Sequence, residues 1–167
     1  MANRKNLTLL RHAKSSWKDP GLDDRDRPLN GRGRQNAPRM GRLMKQEQLV
    51  PDLVLCSSAQ RTRETASLFF AEWTVSPSIV YRDDLYHAEP VQIEGILNSI
   101  DNSIEFLMII GHNPGLEEFL SKHTGKALVM PTAALAQVDF ELDLWSHFKD
   151  VTRGELINFW SPKDLND

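Results

Sequence analysis

The sequence predicts an α/β protein built on a mostly parallel, six-stranded sheet with helices covering both faces. Three observations predict it. Short apolar runs alternate with longer amphipathic stretches over most of the chain, the pattern of repeated strand–helix–strand units. The 167 residues, 40% hydrophobic and 26% charged, suffice for one well-packed core. No repeat, low-complexity tract or linker-like stretch divides them, so residues 1–167 read as a single domain.

The first strand is Leu7–Leu10, an apolar run bounded by charge. A helix follows over about 31–48, with Asn30 as its N-cap and with Pro38 expected to kink it or delay its start. Strand two is Asp52–Cys56, and a helix over about 60–72 comes next. Strand three, Ile79–Arg82, leads to a helix over 91–100, then to strand four, Phe106–Ile110. The turn residues Asn113-Pro114-Gly115 precede a helix over about 116–123. Between the last two strands, Leu135–Phe140 and Glu155–Trp160, no helix is evident, so an antiparallel strand is expected there. Ser161–Asp167 reads as a polar tail that frays.

Composition removes several function classes. The net charge of −3 argues against nucleic-acid binding. No apolar stretch is long enough for a bilayer, and Met1–Asn6 is followed by no apolar leader region, so a cytoplasmic monomer without a membrane partner is expected. The single cysteine, Cys56, excludes an internal disulfide and a CxxC metal motif, and at a strand end it reads as a small core residue. Neither an HxxxH motif nor a carboxylate–histidine cluster is present, so no metal and no cofactor are expected. From Asn30 to Lys45 lie five basic residues (Arg32, Arg34, Arg39, Arg42 and Lys45) and no acidic ones. That run is either a solvated helix face or a docking surface for an acidic partner.

The chemistry gathers at the carboxyl ends of the predicted strands, where parallel sheets bind ligands. Strand one ends in Arg11-His12, strand two in Ser57-Ser58-Ala59-Gln60-Arg61, and strand four in Gly111-His112-Asn113-Pro114-Gly115. Two histidines and two arginines thus converge on one crevice, near two helix N-termini that favour anions. Paired guanidinium groups suit a phosphate dianion. Their charge also keeps a neighbouring imidazole neutral, hence nucleophilic toward phosphorus. The second histidine can stabilise the charge that develops on the phosphoryl oxygens.

These segments resemble the histidine phosphatase superfamily, the phosphoglycerate mutase-like proteins. The resemblance is closest to its small SixA-type phosphohistidine phosphatases. Leu10-Arg11-His12-Ala13-Lys14-Ser15-Ser16-Trp17, Pro28-Leu29-Asn30-Gly31-Arg32-Gly33, Ser57-Ser58-Ala59-Gln60-Arg61-Thr62, Gly111-His112-Asn113-Pro114-Gly115 and Met130-Pro131-Thr132-Ala133 carry it in order. It implies a three-layer α/β/α sandwich with one antiparallel strand. It also implies His12 as nucleophile, Arg11 and Arg61 as the phosphate clamp and His112 as the second phosphate-binding histidine.

There are two departures. Ala13 stands where many relatives have glycine, a small change. Relatives that cleave phosphomonoesters carry an acidic proton donor just beyond strand three, where this chain aligns His87, with Asp84 and Glu89 close by in sequence. All three remain candidates for the donor. An alkoxide leaving group depends on such a proton, whereas phosphorylated imidazole can leave already protonated on its far nitrogen. Only the twenty-two residues Asp83–Ile104 separate strands three and four, enough for one helix but not for a lid. The expected activity is therefore a metal-independent phosphatase acting on phosphohistidine in a protein. The alternatives are a small-molecule phosphomonoesterase and a phosphate-binding regulatory module without turnover. Lys14, Ser15 and Ser57 are further candidates to line the pocket, Ser57 also as a helix cap. Trp17 is expected to pack beneath the loop after His12, His123 to act as a charge at a helix C-terminus, and His147 to be solvated.

Overall fold

The computed structural model describes residues 3–151 and 153–166. The order of elements is β1 (Arg4–Arg11), α1 (Gly31–Gln46), β2 (Leu53–Ser57), α2 (Gln60–Phe69), β3 (Ser78–Arg82), α3 (Pro90–Asn98), β4 (Phe106–Gly111), α4 (Gly115–Thr124), β5 (Leu135–Glu141) and β6 (Glu155–Trp160). Short 3-10 turns at Asp24–Asp26, Asp83–Leu85, Trp145–Asp150 and Pro162–Asp164 punctuate them.

The six strands form one sheet in the order β3-β2-β4-β1-β5-β6. β1, β2, β3 and β4 run parallel; β5 alone is reversed, pairing antiparallel with β1 and β6. Alternation along each inner strand fills two cores. Leu7 and Leu9 of β1 and Leu107 and Ile109 of β4 face Ile93, Leu97, Phe119 and Leu120 of α3 and α4. On the opposite face, Leu10, Met108 and Ile110 meet Met40, Met44 and Phe69 of α1 and α2. The period-two exchange of faces produces the three-layer sandwich.

Helix α1 begins where the sequence places it, with the Asn30 side chain accepting from Gly33 N at 2.9 Å. Of the two effects expected of Pro38, the delay does not occur, and the helix continues through it to Gln46. Ala37, Met40 and Met44 anchor one face in the core, which offsets the missing backbone donor. Helix α2 stops at Phe69, short of the predicted end. There the chain turns so that Phe70 and Trp73 pack edge to face, with ring centroids 4.9 Å apart.

Three further expectations are corrected. Trp17 is 73% exposed, because the Arg27 guanidinium lies 3.5 Å from its ring centroid and holds it outside the loop. His123 lies in the last turn of α4 but is not the charge expected there. It is buried against Phe119, Phe140 and Phe148, its Nε2 is 2.9 Å from Glu94 Oε1, and burial pushes its pKa down. The tail, expected to fray, is anchored as far as Leu165. Ser161 is buried and bonds Asp164 Oδ2 through its backbone N–H and hydroxyl, and Leu165 packs on the second core. Asp167, and Met1 and Ala2 at the other end, lie outside the described residues. Among the described residues no helix is long and apolar enough to cross a membrane.

Candidate active site

Register places the site. Arg11 pairs with Gly111 across β1 and β4, and Cys56 pairs with Ile110 across β2 and β4. Arg11-His12, Ser57 and His112 therefore leave the sheet at one edge. His12 N donates to Gly111 O at 3.1 Å, while Ala133 N donates to the carbonyls of Arg11 and His12 at 3.1 and 3.0 Å. The main chain around the nucleophile candidate is held on one side by β4 and on the other by the turn that leads into β5.

The structure brings together the four principal residues that the sequence picks out. His12 is 7% exposed and His112 is 4% exposed, with their ring centroids 5.3 Å apart. His12 Nδ1 lies 2.7 Å from Ala13 O, which can only accept, so Nδ1 carries the proton and Nε2 keeps its lone pair. Burial lowers the pKa of His12 to about 4; the Ala13 carbonyl opposes this, and the charges of Arg61, Arg11 and Arg27 reinforce it. Burial likewise lowers His112 to about 2, with added repulsion from His12, Arg61 and His87. Both rings are neutral near pH 7.

Arg11 donates from Nη1 to Met130 O at 2.9 Å. Arg61, buried in the first turn of α2, donates from Nη1 to Asp24 O at 2.7 Å and from Nη2 to Asp24 Oδ2 at 3.0 Å. Those contacts spend the end of each guanidinium and leave its inner edge. Arg11 Nε, Arg61 Nε and His112 Nδ1 are buried without a protein partner. Such groups are costly to bury unless a ligand completes them, and an oxyanion is the ligand suited to two guanidinium edges.

The remaining candidates separate. Ser57 does not cap α2, whose N-cap is Ala59 without a side-chain bond. Its Oγ sits 2.8 Å from His112 Nε2 and orients that ring. Ser15 is buried and accepts from Arg27 Nη1 at 2.9 Å, whereas Lys14 is exposed. Of the donor candidates, only His87 reaches the histidine pair, with its ring centroid 5.5 Å from that of His112. Its φ of 51° is unusual for a residue with a side chain and turns it out of the chain path. Asp84 is not brought to the site, because Arg82 takes its carboxylate at 2.9 and 2.7 Å. Glu89 is not brought there either. It is exposed at the start of α3, where its backbone N–H donates to Gln92 Oε1 at 2.8 Å.

Sequence reasoning missed Asp24, which is a hub. Its Oδ2 accepts from Arg61 and from the Tyr86 hydroxyl (2.5 Å) and lies 3.3 Å from His87 Nε2, while its Oδ1 accepts from Arg27 Nε at 3.1 Å. Burial pushes its pKa up, but the Tyr86 hydroxyl and the two arginines outweigh this and hold it well below the carboxylate range. The only sequence signal was the dense charge of Asp23-Asp24-Arg25-Asp26-Arg27, which resembles any solvated loop. Among the described residues no three His, Cys, Asp or Glu side chains cluster as metal ligands would.

The model of the histidine phosphatase superfamily, branch 1, matches residues 7–103, more than half of the chain. An uncharacterised chloroplastic protein of Arabidopsis thaliana is 32% identical over 80% of this chain and 66% of its own length. Among solved structures, a protein of Agrobacterium tumefaciens assigned as phosphohistidine phosphatase SixA superposes with a TM-score of 0.81. It is 30% identical, with 95% of this chain and 98% of that one covered. The protein histidine phosphatase SixA complexed with tungstate gives 0.82 at 18% identity, over 96% and 99% of the two chains, and so shares the fold.

Proposed function

Because the chain belongs to the histidine phosphatase superfamily, we propose that it hydrolyses phosphorylated substrates through a covalent intermediate on His12, with phosphohistidine in a protein as its substrate. The observation that carries the reading is the bond from His12 Nδ1 to Ala13 O, 2.7 Å long. It fixes the tautomer in which Nε2, beside the unspent edges of two arginines, is the nucleophile.

In the first step Nε2 attacks phosphorus, a P–N bond forms, and the bond to the leaving group breaks. A phosphohistidine substrate protonated on its far nitrogen departs as neutral imidazole and needs no external acid. Arg11, Arg61 and a His112 whose Nε2 accepts from Ser57 stabilise the charge on the non-bridging oxygens. Water then attacks the phosphorus. His12 leaves as the neutral imidazole that its Nδ1 proton already prepares, and inorganic phosphate is released. The 30% identical Agrobacterium structure supports the substrate class. His87 favours a second reading, small-molecule phosphomonoesters, since a ring 5.5 Å from His112 could protonate an alkoxide.

One experiment tests both the mechanism and the ranking. Incubation with a phosphohistidine protein should transfer an acid-labile, base-stable phosphoryl label to this chain, a transfer that His12→Ala abolishes, with turnover faster than on sugar phosphates. Faster turnover of sugar phosphates would install the second reading. Phosphate binding with no intermediate from any donor would make the protein a binding module.

A further inference from the structure

The five-cation run of α1 divides into two parts. At its far end, Arg42 Nη1 meets Glu72 Oε1 at 2.8 Å and Lys45 donates to Glu72 O at 3.0 Å, so those charges are answered by the segment after α2. At its near end, Arg34 opens onto a groove of about 710 Å³ that starts at Lys14, two residues beyond His12. Trp17, Lys18, Asp19 and Leu22 also line that groove. Lys14 and Lys18 are exposed and form no ion pair among the described residues, and the Arg34 guanidinium donates from Nη1 to the Leu29 carbonyl at 2.7 Å. Asp19 is the single carboxylate among the lining residues, and its Oδ1 accepts from Gly21 N. The apolar part is held ready, because Trp17 rests one face on the buried Arg27 guanidinium and stays 73% exposed.

We propose that this groove is where the substrate protein docks, through an acidic segment flanking its phosphorylated side chain. The proposal rests on the phosphoprotein reading above and adds which surface of the partner is recognised. Charge selects the occupant: three cations face one carboxylate, so an acidic chain gains and a basic one is repelled. Trp17 and Leu22 supply an apolar platform of the kind that anchors interfaces. Continuity with Lys14 aligns the bound segment with His12, so docking delivers the phosphoryl group to the cationic pocket.

The test uses the intact protein and synthetic phosphohistidine peptides whose flanks are acidic, neutral or basic, with p-nitrophenyl phosphate as the small control. Acidic flanks should raise kcat/KM about tenfold over neutral ones, mainly through KM, and salt should erase the gain. Lys18→Glu combined with Arg34→Glu should reverse the preference while hydrolysis of p-nitrophenyl phosphate stays as it was, which also shows that the variant folds. Equal rates on all the peptides, with p-nitrophenyl phosphate still hydrolysed, would overturn the groove assignment alone. Hydrolysis of p-nitrophenyl phosphate but of no peptide would remove the phosphoprotein reading, and the groove assignment with it. A concentration-dependent dimer broken by the double variant, without any peptide preference, would give the groove to a second copy of the chain and overturn the proposal.

Discussion

The nucleophilic role proposed for His12 requires an uncharged ring, and its surroundings favour one. Its imidazole resonances should titrate near pH 4 in the folded protein, against about 6.5 in the unfolded chain. Between those values the unfolded state binds more protons, so stability should fall as pH drops from about 6.5 toward 4, by roughly 3 kcal/mol from this ring alone. A folded-state midpoint above 6 would show that the pocket does not suppress the charge. For His87, the test is leaving-group dependence. His87→Gln should lower kcat on an alkyl phosphate about a hundredfold and hardly affect p-nitrophenyl phosphate, whose phenolate leaves unaided. Equal losses on both substrates would mean that the ring only shapes the pocket. At this scale the sequence was legible near the strand ends: Arg11, His12 and His112 leave them side by side, and Arg61 reaches the same pocket from the first turn of α2. It was silent on Asp24, whose importance arises from Arg61, Tyr86 and His87 folding toward it from other segments.

Helix α1 shows how an element supports chemistry it does not perform. Its first turn packs so tightly on the loop after His12 that a Cβ on Gly33 would stand 2.2 Å from the Lys14 carbonyl oxygen. Gly33→Ala should therefore shift that loop, costing about 1–3 kcal/mol in thermal unfolding and reducing kcat as well. Asn30→Ala removes only the cap, about 1 kcal/mol, and should leave kcat unchanged. If both variants cost stability alone, the helix does not set the position of the loop. The element types were readable from period and caps, and the strand positions agree with the sequence to within a few residues. The behaviour of Pro38 was not readable. Local propensity argues for a later start there, and burial of Ala37, Met40 and Met44 overrides it.

Across the whole molecule, the proposed mechanism gives arginine charge the part that a cation plays in many phosphoryl-transfer enzymes. Prolonged treatment with EDTA should leave turnover intact; loss that zinc or magnesium restores would refute the mechanism. Alternating strands and helices made the layers legible, and the gap before Glu155 made a reversed strand legible. The path of residues 17–30 was not, since no periodic pattern governs a loop held by scattered polar contacts. That division has a consequence for how the scaffold can change. Arg11, His12 and His112 hang from the ends of inner strands and Arg61 from the first turn of α2, whereas Asp24, His87 and most of the groove belong to surface loops outside the sheet. Selection for altered substrate scope in the laboratory should thus accumulate changes in those loops and spare the strand ends, so that one unchanged reaction could be offered to successive new customers.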